Sequence, residues 1–239
     1  MERFLSVVAE EGIYPRRDNL KFYLDFLFDS VPLAGKSVLD VGSGTGMFGF
    51  YARCVGAARV VCLEPQGAGS SAGMTETFRR MDARLGVSKV RLEPTTFQAF
   101  DSQGETFDII LLHNSINHLD EEACIALRYD PAARARYAAI FKKITLLSGR
   151  GATAIVTDCS RHNFFNMLNA RNPMLPRIEW HKHQSPRFWA GLLSEAGFGH
   201  SRIRWKSPGS LRSAGRALLG NSFASFFLDS QFCLTMIKR

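Results

Sequence analysis

Val38-Leu39-Asp40-Val41-Gly42-Ser43-Gly44-Thr45-Gly46-Met47-Phe48-Gly49 decides the fold of this 239-residue chain. An apolar run of strand character turns through alternate glycines into a segment of helical character. Twenty-two residues after Gly42, a second apolar run, Val60-Val61-Cys62-Leu63, ends in Glu64. A strand, a glycine turn, a helix and a second strand tipped by an acid form half of a nucleotide-binding α/β unit. The glycines have separate expected jobs. Gly42 takes the tight turn, Gly44 leaves bare backbone for a ligand, and Gly46 lets the helix start close against the sheet. The helix N-terminus then offers N–H groups to an anionic ligand group. Glu64, at the carboxyl end of the next strand, is placed to accept hydrogen bonds from two ribose hydroxyls.

Asp40-Val41-Gly42-Ser43-Gly44-Thr45-Gly46 resembles the first motif of class I S-adenosylmethionine-dependent methyltransferases, and Leu63-Glu64-Pro65 resembles their second. The spacing is G-x-G-x-G, whereas nicotinamide and flavin enzymes usually show G-x-G-x-x-G. The resemblance implies S-adenosyl-L-methionine as cofactor, held by Asp40, Gly42, Ser43, Gly44, Gly46, Glu64 and Pro65. It also implies an α/β fold: a doubly wound, mostly parallel seven-stranded sheet, Rossmann-like, with the last strand antiparallel between strands five and six. The bland alternative is an α/β core whose glycines only make a turn.

The length suits one methyltransferase domain over 1–239, with a helical cap (1–36), a cofactor-binding half (37–158) and a substrate-side half (159–239). With 46% hydrophobic and 22% charged residues the chain reads as an ordinary soluble globular protein. No apolar run approaches the roughly 18 residues of a membrane span, and the N-terminal segment is broken by acids where a signal peptide needs an apolar core. Five cysteines, odd in number and without C-x-x-C pairing, suggest neither a disulfide framework nor a zinc site. A cytoplasmic protein without a metal is the expectation. The net charge of +8 favours a polyanionic or phosphorylated partner, or the inner face of a membrane, without choosing among them. The excess is uneven: from Arg202 onward there are seven Lys or Arg and one acid, Asp229.

Apolar periodicity predicts strands at 37–41, 59–63, 87–92, 107–113, 152–157, 201–205 and 231–237. Helices are expected around Leu20, Tyr23, Leu24 and Leu27, from Met47, over 75–85, and after Asp120. Another follows Asp130-Pro131, with a stripe of Tyr137, Ile140, Phe141, Ile144 and Leu147, and one more starts at Ser185-Pro186. Ser148-Gly149-Arg150-Gly151 reads as a helix stop, and 66–71 as a flexible loop. Two connections, 159–184 and 206–229, exceed the usual length and are candidate substrate walls.

Ligands of open α/β sheets bind beyond the carboxyl ends of the strands. After strand three the resembled family expects an acid or polar residue for the adenine amine. This chain has Thr95-Thr96-Phe97-Gln98, so Gln98 is the candidate contact and Phe97 either stacks on the ring or is plain core. After strand four comes His113-Asn114-Ser115-Ile116-Asn117-His118-Leu119-Asp120. Methyl transfer from a sulfonium is an in-line displacement, so orienting donor and acceptor supplies most of the catalysis. A hydroxyl acceptor also needs its proton removed, which suits a histidine. His113, which also faces the cofactor, and His118 are the candidate bases, and bracing their loop is the alternative. Asn117 is a candidate acceptor contact, and either it or Asp120 could simply cap the next helix.

His162, His181 and His183 fall near Arg161 and Trp180 in one long connection. A polar wall over the site is preferred to a metal centre, because Glu179 is the only nearby carboxylate. Arg161 and His162 are its candidate acceptor contacts. Arg212 and Arg216, one helical turn apart, could clamp phosphate or carboxylate or touch an anionic membrane. Leu211, Ala214, Ala217 and Leu218 occupy another face of that helix, and Phe223, Phe226 and Phe227 follow as an apolar wall.

Asn117-His118-Leu119-Asp120-Glu121, Asp158-Cys159-Ser160-Arg161 and Ile178-Glu179-Trp180-His181-Lys182-His183-Gln184 resemble a methyltransferase subgroup associated with sugar or surface-polysaccharide modification. The resemblance implies methyl transfer to a hydroxyl of a small molecule or sugar conjugate, with a glycan-type or anionic acceptor and no DNA. Two rivals stand beside it. One is an RNA methyltransferase, prompted by the charge but lacking an RNA-binding module or an Asn-Pro-Pro-Tyr type motif. The other is a non-catalytic protein that uses a cofactor fold to bind a partner.

Overall fold

β1 (Ser37–Val41) has Val38, Leu39 and Val41 buried, because neighbours cover both of its faces, as in parallel sheets. It pairs in parallel with β2 (Arg59–Leu63) on one side and β4 (Phe107–His113) on the other. The structure is a computed structural model and describes residues 1–14, 16–66 and 73–239. Apart from Gln66, the loop expected at 66–71 lies outside them.

The seven strands follow the order β3-β2-β1-β4-β5-β7-β6, with β3 at Val90–Glu93, β5 at Ser148–Cys159, β6 at Phe198–Trp205 and β7 at Gln231–Lys238. β7 runs antiparallel to β6. This is the doubly wound, Rossmann-like sheet expected from the sequence. Strand order reverses between β1 and β4, and such a switch point leaves a crevice beyond the carboxyl ends of those two strands.

Three boundaries differ from expectation, each for a local reason. β3 starts three residues late, directly after Lys89, which takes a left-handed conformation (φ 68°) outside the strand region. α6 does stop at Leu147, but β5 starts directly at Ser148, so Ser148-Gly149-Arg150-Gly151 is already strand. A Cβ on Gly149 would lie 3.6 Å from the Phe107 carbonyl, so this glycine serves close strand approach. β6 begins at Phe198 and carries an irregularity between Gly199 and Arg202, where His200 has φ 52°.

The chain forms two compact units interleaved in sequence. Residues 1–113 and 147–153 form unit 1, with helices α1 (Glu2–Glu10), α2 (Arg17–Leu27), α3 (Met47–Cys54) and α4 (Met74–Leu85). Residues 114–146 and 154–239 form unit 2. Its helices are α5 (Glu121–Ala126), nearly all of α6 (Pro131–Leu147), α7 (Phe164–Met167), α8 (Pro186–Glu195), α9 (Arg212–Leu219) and α10 (Ser222–Phe227). α6 starts where the Asp130 carboxylate accepts from the Ala132 N–H at 2.8 Å, and α8 where Ser185 Oγ accepts from the Phe188 N–H at 3.2 Å. The fully buried Trp189 of α8 packs 5.3 Å from the Tyr137 ring and 6.0 Å from the Phe141 ring of α6. The Tyr137 hydroxyl donates to the Ile116 carbonyl at 2.9 Å, so this core also holds the 3-10 turn Ile116–His118.

Candidate active site

In unit 1 the β1–α3 loop closes on the tip of β2. Gly42 and Ser43 N–H groups both donate to the Leu63 carbonyl at 2.9 Å. Gly44, at φ 56°, turns its own N–H to Glu64 Oε2 at 2.8 Å. These three loop amides therefore hold the end of β2. Gly46 has a different job from the one expected. At φ 74° it carries the chain into α3, and a Cβ there would come 2.4 Å from the Phe78 ring of α4. The close helix–sheet approach belongs to Gly49, where a Cβ would meet Cys62 Sγ of β2 at 2.5 Å.

Asp40 is fully buried, and among the described residues neither of its oxygens meets a hydrogen-bond partner of good geometry. Burial first, then the nearby Glu64 carboxylate, pushes Asp40 up to about 7. Two buried acids in one cradle, one held toward neutrality by the other, suit a ligand that carries positive charge and hydroxyl donors.

His113 ends β4 in the same unit. Its Nε2 shares a 2.7 Å hydrogen bond with the Tyr23 hydroxyl of α2, and its ring lies 4.2 Å from that of Phe48. His113 is thus braced by an aromatic box. Tyr23 was legible only as part of a helical stripe, and nothing in its spacing marked it as a histidine partner. Phe97 is buried and Gln98 exposed after β3, while Pro65 follows Glu64 half-buried.

Unit 2 contains a cavity of about 360 Å³. Asn114, Asn117, His118, Asp158, Cys159 and His183 line it together with residues 174–178. His118 is half exposed, and its Nδ1 lies 2.5 Å from Glu121 Oε1. Lys182 Nζ also reaches Glu121, at 3.1 Å. His118, then Lys182, holds the Glu121 carboxyl below its ordinary value. Asp120 is the helix cap: its Oδ1 accepts from the Ala123 N–H at 3.1 Å, and Arg136 anchors the same carboxylate. Arg161, His162, Arg212 and Arg216 lie outside the cavity lining. Burial, then Arg128 and Arg161, lowers His162 below its usual value. On α9 the apolar Leu211, Ala214, Ala217 and Leu218 are exposed, and Gly215 is the buried position. His181 is exposed, and His183 is half-buried. Asp158 and His183 both belonged to quoted motifs, yet no spacing rule could pair them across the connection.

Residues 38–129 match the family model described as "Methyltransferase domain". No curated protein matches the sequence. Among solved structures, an S-adenosylmethionine dependent methyltransferase assignment from Listeria monocytogenes superposes with a TM-score of 0.63 at 12% identity, covering 94% of this chain and 100% of that one. A Thermotoga maritima SAM-dependent methyltransferase, described as a possible histamine N-methyltransferase, gives 0.59 at 16%, covering 100% and 99%. The plantazolicin methyltransferase BpumL, solved with a monoazolic desmethylPZN analogue and SAH, gives 0.54 at 17%, covering 100% and 84%. The fold is that of an S-adenosylmethionine-dependent methyltransferase. At these identities the likeness speaks for architecture, and the cradle of this methyltransferase fold supplies the chemical fit. S-adenosyl-L-methionine is the cofactor of this fold, and BpumL was solved with its demethylated product, SAH. Among the described residues no group of three or more His, Cys, Asp or Glu is placed to hold a metal ion. No described helix is long and apolar enough to cross a membrane.

Proposed function

We propose that the chain transfers a methyl group from S-adenosyl-L-methionine to a hydroxyl of a small molecule or sugar conjugate. The observation that carries this reading is the pair of buried acids, Asp40 and Glu64, at the carboxyl ends of β1 and β2 beside the glycine loop. Glu64 holds the ribose hydroxyls with the oxygen that Gly44 leaves over, and Asp40 takes the ammonium side with Gly42, Ser43, Gly44 and Gly46 around it. Pro65 and Gln98 border the adenine, Phe97 supports that wall from the core, and His113 closes the cradle from β4. The acceptor sits in unit 2. A cavity of about 360 Å³ rimmed by imidazoles and carboxamides fits a small acceptor better than a nucleic acid. Asn117 and His118 meet the acceptor there. Arg161, His162, Arg212 and Arg216 guide an anionic substituent or a lipid-linked substrate at the surface. Five free thiols support action in the reducing cytoplasm.

Incubation with labelled methyl donor and a panel of sugar nucleotides, lipids, phenols and tRNA tests the reading. Label in a hydroxyl-bearing small molecule is expected. Label in tRNA alone would favour RNA, and cofactor binding without transfer to anything would favour a non-catalytic role.

A further inference from the structure

Asp158, next to last in β5, buries its side chain to 2% exposure. Its Oδ1 accepts from the Cys159 N–H at 2.7 Å and stands 2.7 Å from Nδ1 of His183, whose side chain is 14% exposed. A carboxylate at Nδ1 keeps the proton on that nitrogen, leaving Nε2 with its lone pair. The backbone on both sides of the imidazole is anchored. The His183 N–H donates to the Trp180 carbonyl at 3.1 Å, and the buried Gln184 side chain donates to the Cys124 carbonyl at 2.8 Å. Cys124 Sγ returns a bond to the Lys182 carbonyl at 3.3 Å. The segment is thereby bolted to α5.

Two side chains of the cavity lining, Asp158 and Asn117, each keep one buried acceptor atom that no described residue satisfies, Asp158 Oδ2 and Asn117 Oδ1. A buried acceptor without a donor costs about 1–3 kcal/mol, and such an atom calls for a ligand or water that donates. Met174, Leu175, Pro176 and Ile178 give the same lining an apolar stretch, interrupted by Arg177. Cys159 offers no nucleophile, because burial and then Asp158 push its thiol well up.

We propose that His183, oriented by Asp158, is the general base for an acceptor that is a single ring bearing neighbouring hydroxyls and one apolar face. The proposal rests on the methyltransferase reading above and names the acceptor class and the base for it. The acceptor O–H bond breaks and its proton passes to His183 Nε2. An oxygen lone pair forms the new bond to the methyl carbon while the carbon–sulfur bond of the sulfonium breaks, its electron pair staying on sulfur. The imidazolium, stabilised by Asp158, later returns its proton to water. A second hydroxyl donates to Asn117 Oδ1 or Asp158 Oδ2. The two other candidates are less suited: His113 Nε2 is engaged by Tyr23, and His118 is a half-exposed rim residue held by Glu121. Catechols and monosaccharides both carry this diol chemistry.

The full chain is assayed for methyl transfer to 3,4-dihydroxybenzoate and, separately, to a methyl glucoside. His183→Ala is expected to lower kcat by roughly 100- to 10,000-fold, with S-adenosylmethionine affinity unchanged by calorimetry. Its residual rate should climb with pH, following the acceptor's own ionisation. Asp158→Asn, a positioning variant, should lower kcat less and turn the single Nδ1–H tautomer of His183 into a mixture in long-range proton–nitrogen spectra. Should His183→Ala fold poorly, His183→Gln keeps the bulk without the base and is expected to show the same loss. A His183 variant that retains the wild-type rate overturns the base, as does an Asp158→Asn protein with an unchanged tautomer and rate. Equal loss of cofactor affinity and rate in His183→Ala would make the residue structural and overturn it too. Wild-type transfer to neither probe would instead overturn the diol acceptor, while wild-type failure on every hydroxyl compound would sink the reading it rests on.

Discussion

Asp40, Gly44 and Glu64 meet within one strand–helix–strand passage, whereas Asn117, Asp158 and His183 are brought together from three separate segments. The first arrangement leaves a contiguous signature, because backbone geometry there dictates residue type: left-handed turns select glycine, and a strand tip places one acid. The second depends on where long connections fold back, and short-range patterns do not encode that. Changes in unit 1 should therefore register in cofactor affinity and stability, and changes at the cavity in turnover.

The largest expected effect tests the local arrangement. Gly46→Ala adds a Cβ at φ 74° and presses it to 2.4 Å from Phe78. Left-handed strain of about 1–2 kcal/mol and overpacking of about 1–3 kcal/mol should together lower stability and weaken cofactor binding. Urea denaturation of variant and wild type measures this, and a shift below 1 kcal/mol would show that the loop relaxes freely.

Asp40 supplies the next effect. Its folded-state value of about 7 lies above the ordinary 3.8. Between those values the folded chain keeps a proton that the unfolded chain has lost, so stability falls as pH rises through this window and the full cost is reached above 7. Each unit of difference corresponds to about 1.4 kcal/mol, which sets an upper limit of a few kcal/mol. Asp40→Asn should remove most of the difference between unfolding midpoints at pH 5 and pH 8. A cationic cofactor should also drive a proton off Asp40, detectable as buffer-dependent binding heat near pH 6. Identical pH profiles for variant and wild type would mean that Asp40 stays ionised.

Glu64→Ala should weaken S-adenosylmethionine binding by about 1.5–3 kcal/mol, the worth of a hydrogen bond to a charged group. Calorimetry reads it directly. An unchanged affinity would show that the Gly44–Glu64 bond only ties the loop to β2.

The sheet was legible almost strand for strand, because buried parallel strands are apolar runs and the starts of α5, α6 and α8 carry Asp, Ser or Pro. The misplaced ends were those near single left-handed residues, Lys89 and His200, or at the close strand approach of Gly149. Asp40 and Glu64 were legible as site residues because their spacing from the glycines is fixed by the fold. Tyr23 and His183 were not, since a tyrosine in an apolar stripe and a histidine in a polar connection look like many others until the fold pairs them with His113 and Asp158.

The smallest expected effect sharpens the comparison inside the cavity itself. His118–Glu121 and His183–Asp158 are both imidazole–carboxylate pairs, but the first has side chains 55% and 42% exposed. Water screens such a pair, so it contributes about 0–1 kcal/mol, and Lys182 competes for the same carboxylate. An imidazole so exposed is open to water, which suits recognition at the rim more than proton abstraction. His118→Ala should therefore change kcat by less than about tenfold, the effect of one exposed contact, and raise KM for the acceptor modestly. Steady-state kinetics on the same acceptor as the His183 variants decides the matter. A loss of a hundredfold or more in kcat would assign the base to the exposed pair and reduce His183 to a buried strut.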